Sequence, residues 1–351
     1  MSKKHPNKEI IMLKYAFWNN KGGTGKTSLI FQSVCKYAEI HPNKKVLAID
    51  LCPQANFSEL LLGGQEHQGS ARLLTQHGKV PRCSIGGYFD FRLPSPFSLP
   101  SIFTPHDFIM TPSSIHNVIP QNIDLICGDP LIELQGIAMN TLANASLPGV
   151  NTWLAVIDWL KDLLNAVADE YDVVFIDTNP SFSMYTQIAL AASERVIMPV
   201  MADDSSRRAV QNSFSLMYGI RLPSPIYSNY TFAGQMVNGG RSLPKIHLIV
   251  RNRITQYMGD ASAYNAVLEG IKLDVTAAIQ AHSQYFTFTN AEDGLISVRD
   301  FQTTGVVAFA RGFPFFQLNP GKLTISGQRV QVKREYLENS RQAIADVVAL
   351  L

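Results

Sequence analysis

The sequence predicts an α/β fold, a mostly parallel sheet covered by helices on both faces. Three observations carry that prediction. Apolar strand-like runs alternate with helices of amphipathic spacing, the pattern of parallel strands joined by crossover helices. One of the runs, Val173–Asp177, is apolar throughout, as a strand sandwiched between two helical layers would be. The first of them passes directly into a glycine-rich turn that opens a helix. With 46% hydrophobic and 17% charged residues in 351, the chain has the composition of a folded globular protein. We read 1–351 as one domain with irregular insertions at about 57–151 and 221–243.

In chain order, Met12–Trp18 is an apolar, aromatic strand ending in Asn19 and Asn20. From Lys26 the apolar positions Ile30, Val34 and Ala38 recur every four residues, with Leu29 and Tyr37 alongside, which predicts a helix with one buried face. Val46–Asp50 is the next strand, and its connection to the first should be a right-handed crossover. The stretch from Phe57 to Asn151 is rich in Pro and Gly, with one strand at Ile123–Cys127. Trp153, Val156, Ile157, Leu160, Leu163, Leu164 and Val167 then form one helical face. Strands at Val173–Asp177, Val196–Val200 and Ile246–Val250 alternate with helices near Tyr185–Ser193 and Ser205–Tyr218. Beyond the irregular Arg221–Leu243, a helix near Ala261–Ala281, an apolar stretch Gly305–Phe316 and a helix from about Lys333 to Leu351 complete the chain.

A net charge of +2 does not advertise nucleic-acid binding in bulk, so any such activity must come from a local basic face. Cys35, Cys52, Cys83 and Cys127 show no metal-type spacing, and their sparsity suits a reducing compartment. No uninterrupted apolar run of ~20 residues appears, so the expectation is a soluble, cytoplasmic protein.

The strongest chemical signal is KGGTGKT, Lys21 to Thr27. Phosphate oxygens need several backbone N–H groups converging on one point, and Gly22, Gly23 and Gly25 permit that curvature around Thr24. The helix beginning at Lys26, Thr27 and Ser28 adds unpaired N–H donors and its positive dipole end. In this arrangement Lys26 reaches the β- and γ-phosphates and the Thr27 hydroxyl binds Mg2+. The common pattern would have glycine at position 20, where this chain has Asn20; the variant with an extra lysine at Lys21 is matched in full. Two acids end apolar strands at the crevice where ligands of open α/β sheets bind: Asp50 in AIDLCPQANFS and Asp177 in VVFIDTNPSF. Both are candidate Mg2+ ligands, directly or through water.

This deviant Walker A loop, FWNNKGGTGKTSL, resembles the ParA/MinD family of phosphate-loop ATPases, and AIDLCPQANFS resembles the family's D-x-D-P-Q-G-N element. The resemblance is firm over residues 11–57 and 170–201 and thin beyond. It implies an ATP- and Mg2+-dependent switch that forms a homodimer on ATP binding, with Lys21 reaching the partner's phosphates. Lys21, Lys26 and Asp50 would carry catalysis, and Asn252 in HLIVRNRI would read the adenine edge with its amide. It further implies an activating partner, ParB-like or a cargo adaptor, and nucleoid association through non-specific DNA. Arg329, Lys333, Arg334 and Arg341 supply basic side chains for that DNA, with Arg207 and Arg208 as a weaker pair.

Two departures matter. The family's second aspartate, which orients the attacking water, is Cys52 here, and a neutral thiol is a poor substitute for a carboxylate. The segment following Asp177 reads Thr178-Asn179-Pro180 where two prolines are usual. The alternatives are a MinD-like ATPase working on a membrane surface and a nucleotide-stabilised scaffold with little hydrolysis. Against the first, the stripe Leu337, Ile344, Val348 and Leu351 is expected to dock on the core. An ATP-dependent iron–sulfur reductase shares the loop, but Cys83 and Cys127 lack glycine-rich surroundings.

Overall fold

The computed structural model describes residues 12–254 and 262–351. Ala261, the expected start of one helix, lies outside them, as do residues 1–11. Seven strands, β1 (Leu13–Phe17), β2 (Val46–Leu51), β3 (Ile123–Ile126), β4 (Val173–Thr178), β5 (Arg195–Val200), β6 (Lys245–Ile254) and β7 (Leu295–Arg299), form one sheet in the order β3-β2-β4-β1-β5-β6-β7. Every pairing is parallel.

The apolar strands are buried on both faces because alternate residues feed two cores. Ala16, Leu47, Ile49, Val174 and Ile176 enter one core, with the helices Met184–Ala192, Thr152–Ile157 and Trp159–Ala166. Tyr15, Phe17, Val46, Ala48, Val173 and Phe175 enter the other, with the helices Lys26–Ile40 and Arg334–Val348. That is the period-two alternation of a strand between two layers. The C-terminal stripe packs as expected, with Leu337, Ile344 and Val348 buried in the second core. Among the described residues no helix is long and apolar enough to cross a membrane.

Four regions differ from the sequence expectation. The helix read across 153–167 is two helices, Thr152–Ile157 and Trp159–Ala166, broken at Asp158, whose carboxylate takes the Arg241 guanidinium. The stretch 57–151 contains four α-helices that the sequence reading did not assign, Asn56–Leu61, Gly69–His77, Ile85–Arg92 and Ile132–Ala143. Its helices are short and broken by Pro and Gly, so no periodic window was long enough to register. A short helix, Phe232–Asn238, lies within 221–243. Finally, the apolar stretch 305–316 begins as the helix Gln302–Arg311, and two further strands, β8 (Gly321–Ile325) and β9 (Gln328–Val332), form an antiparallel hairpin. Ser326 and Gly327 make its two-residue turn with φ of 48° and 79°, the doubly left-handed turn that suits strand twist.

Candidate phosphate-binding and carboxylate site

The glycine-rich loop leaves β1 at the middle of the sheet, between β4 and β5. Gly23 and Gly25 hold φ of 74° and 77°, and Gly25 caps the Lys26–Ile40 helix without a side-chain hydrogen bond. The first N–H groups of that helix therefore remain open to an anion. The Thr24 hydroxyl is buried with no partner.

Asp50 and Asp177 are register partners on adjacent strands, so the two acids meet at the carbonyl end of the sheet. Lys26 Nζ lies 3.2 Å from Asp177 Oδ1 and donates to the Thr178 carbonyl; Thr27 Oγ1 donates to Asp177 Oδ2 at 3.1 Å. The loop's lysine and hydroxyl thus converge on Asp177. Asp50 is fully buried. Its Oδ2 accepts from Ser58 N and Ser58 Oγ, each at 2.8 Å, and its Oδ1 from Cys52 N at 3.1 Å. Burial, then the neighbouring Asp177 carboxylate, pushes the Asp50 acid up to about 7 against the pull of the Ser58 and Cys52 hydrogen bonds. Two crowded acids beside a hydroxyl are a donor set that a hard divalent cation fits. Thr27, Asp50 and Asp177 are the residues that could hold one.

Cys52 lies just beyond Asp50 and is buried. Burial, then Asp50, then Asp177 push its thiol up to about 12, so it is neutral near pH 7.

Lys21 pairs with a different acid. Its Nζ lies 2.6 Å from both Asp203 oxygens and 3.0 Å from Ser206 Oγ. Asp203 itself caps the Asp204–Tyr218 helix through Ser206 N. Burial raises the Asp203 acid, but the hydrogen bonds from Lys21, Ser205 and Ser206 outweigh it and bring the pKa to about 2.

Asn252, within β6, donates from Nδ2 to the Thr24 carbonyl at 2.9 Å and accepts from Arg253 N at 2.9 Å. Its amide clamps the loop. It also borders a cavity of about 460 Å3 whose walls include Gly25, Ser28, Asp300, Phe309 and Ile325, within the size range of small-molecule sites. Sequence reading missed this wall, because Gln302–Arg311 and the hairpin carry no motif.

Of the basic candidates, Arg329, Lys333 and Arg334 are exposed. Arg341 instead spends its guanidinium on the Phe315 and Leu318 carbonyls at 3.0 and 2.7 Å and on Glu338 at 2.9 Å, which ties the last helix to the chain before the hairpin. Arg207 and Arg208 pair with Asp274 and Asp204, each at 2.7 Å.

Comparison with known proteins agrees with this fold. The AAA_31 family model, an AAA domain, matches residues 12–220. The Virulence plasmid ParA family protein pGP5-D of Chlamydia psittaci is 26% identical over 53% of this chain and 56% of its own length. The chain thus spans little more than half of that relative. The chromosome-partitioning ATPase Soj of Treponema pallidum is 24% identical over 73% of this chain and 83% of its own. Two solved structures share the fold. Apo McdA from Cyanothece has a TM-score of 0.58 at 14% identity, covering 96% of this chain and 99% of its own. A putative plasmid partition protein from Borrelia burgdorferi B31, bound to AMPPNP, has 0.54 at 16%, covering 96% and 98%.

Proposed function

Because the chain belongs to the ParA-like AAA_31 family of ATPases, we propose that it is an ATP-binding switch. In this reading it closes a homodimer on Mg-ATP and positions DNA or another large cargo. The observation that carries this is the convergence of Lys26, Thr27 and Asp177 at the open end of the Lys26–Ile40 helix, beside the cavity that Asn252 borders. The triphosphate would lie in the loop of Gly22, Gly23, Thr24, Gly25, Lys26, Thr27 and Ser28, with the base toward Asn252. Thr27, Asp50 and Asp177 would hold Mg2+, which supplies charge neutralisation of the β- and γ-phosphates. Lys26 then has to leave Asp177 for the phosphates. The chromosome-partitioning role of the relative Soj supports DNA as cargo or matrix, with Arg329, Lys333 and Arg334 as phosphate contacts and a ParB-like or adaptor protein as activator.

Calorimetry with ATP and Mg2+ tests the core of this reading, and absence of uptake would sink it. Charge reversal at Lys333 and Arg334 tests the DNA part: salt-sensitive retention of DNA should disappear. One observation favours a second reading, a scaffold that binds nucleotide and scarcely hydrolyses it. The Cys52 thiol, held neutral, stands where a carboxylate would orient water. Turnover measured with and without DNA separates the two.

A further inference from the structure

The hairpin β8–β9 has two unlike faces. Paired residues of an antiparallel ladder share a face, so Lys322 with Gln331 and Thr324 with Arg329 form one side, and all four are exposed. On the other side Ile325 and Val332 are buried, with Leu323 and Val330 packed against the same core. Ile325 also walls the cavity beside Gly25 and Ser28. A single two-stranded element therefore touches the candidate nucleotide pocket with one face and solvent with the other.

The solvent side is positive. Between Asp300 and Glu335 the sequence has no acidic residue and five basic ones, Arg311, Lys322, Arg329, Lys333 and Arg334. An acid from elsewhere meets the hairpin at its tip: Glu66 Oε1 accepts from Ser326 N at 2.9 Å and from Ser326 Oγ at 3.3 Å. Glu66 belongs to the segment that follows the Asn56–Leu61 helix, and that helix carries Ser58, the residue bonded to Asp50. The same segment is tied to Gln302–Arg311 by Glu66 N donating to the Ala310 carbonyl at 2.8 Å. At Gly64 and Gly312 the backbones approach so closely that a Cβ on Gly64 would come within 2.5 Å of Gly312 N.

We propose that the β8–β9 hairpin couples nucleotide occupancy to a polyanion-binding surface: its apolar face senses the filled pocket through Ile325, Glu66 fixes its tip, and Lys322 and Arg329 bind nucleic-acid phosphates. This rests on the ATP-switch reading above and assigns the element through which the switch acts. Filling the pocket orders the hairpin against its wall. Ordering it sets the spacing of the basic side chains, and binding of a polyanion follows.

Amide hydrogen exchange on the whole protein, with and without Mg-AMPPNP, reads the first half. Retention of duplex DNA at several salt concentrations reads the second. Nucleotide should slow exchange across 321–332, and wild-type retention should rise about tenfold with ATP, a coupling of ordinary size. Glu66→Ala, an exposed change outside the phosphate loop, should erase most of that rise while leaving calorimetric ATP affinity within about threefold. The double variant Lys322→Glu/Arg329→Glu should lose retention in both nucleotide states. Unchanged exchange in 321–332 despite calorimetric ATP binding overturns the coupling and leaves the ATP-switch reading standing. So does a Glu66→Ala protein that keeps its full ATP response. If exchange slows but wild-type protein retains no DNA in either state, the polyanion surface is wrong and the DNA part of the functional proposal falls with it.

Discussion

Lys21 is bound to Asp203 of its own chain, with both carboxylate oxygens 2.6 Å from Nζ. The extra lysine of the phosphate loop, proposed to reach a partner's phosphates, must leave this acid first. The pair is partly exposed, with side-chain exposures of 22% and 41%, so breaking it costs about 1 kcal/mol at most. Asp203→Asn keeps an oxygen for the helix cap at Ser206 N but removes the charge. We expect it to dimerise at an ATP concentration up to about fivefold lower, with a Tm lowered by no more than about 3 °C. Lys21→Ala should lose ATP-induced dimerisation and turnover. Size-exclusion scattering across an ATP titration measures both variants. Dimerisation and turnover both unaltered in Lys21→Ala would refute the cross-dimer role.

Cys52 sets the second expectation. A buried thiol pushed up to about 12 cannot draw a proton from water at pH 7. Basal turnover should be slow, and Cys52→Asp should raise it by about 100-fold, the lower end of what a positioned general base contributes. A brisk wild-type rate in a phosphate-release assay would show that another group orients the water.

Much of this site could be read before the structure, for a definite reason. Phosphate binding needs glycine at left-handed positions, lysine and a hydroxyl at fixed offsets, and acids at strand ends, and each of these is a local pattern. The central strands were legible because burial between two layers makes β2 and β4 almost wholly apolar. What stayed hidden depends on contacts between distant segments. Asp203 and Lys21 lie on different strand exits, and Ser58 holds Asp50 from inside a six-residue helix too short to show a period. The hairpin at 321–332 escaped notice because only half of each strand is apolar and its turn, Ser326-Gly327, is not among the strongest hairpin signals.

Asp50 gives a pH expectation. Burial, then the Asp177 carboxylate, raises its acid well above the value of about 4 that it has in the unfolded chain. Across that interval the folded state holds the extra proton, so stability falls as pH rises. An Asp50→Asn protein lacks this slope. Urea denaturation at pH 5 and pH 8 should therefore show the variant gaining on wild type at the higher pH, and parallel shifts of the two proteins would contradict the burial argument.

Gly25 offers a steric test. A Cβ there would sit 2.4 Å from Asn252 Nδ2, at a backbone φ of 77° that disfavours any side chain. Asn252 cannot simply swing aside, because both ends of its amide are engaged, at Thr24 O and Arg253 N. Gly25→Ala thus carries two penalties, about 1 kcal/mol of left-handed strain and the loss of the Asn252 clamp. ATP affinity should fall by more than about 100-fold, with the far-ultraviolet spectrum unchanged. The double variant Gly25→Ala/Asn252→Gly removes the clash but not the strain. It should recover part of the affinity relative to Gly25→Ala, a non-additivity that a mutant cycle reads directly. Strict additivity in that cycle would mean that the loop is shaped by its own glycines alone, and that Asn252 contributes nothing to holding it.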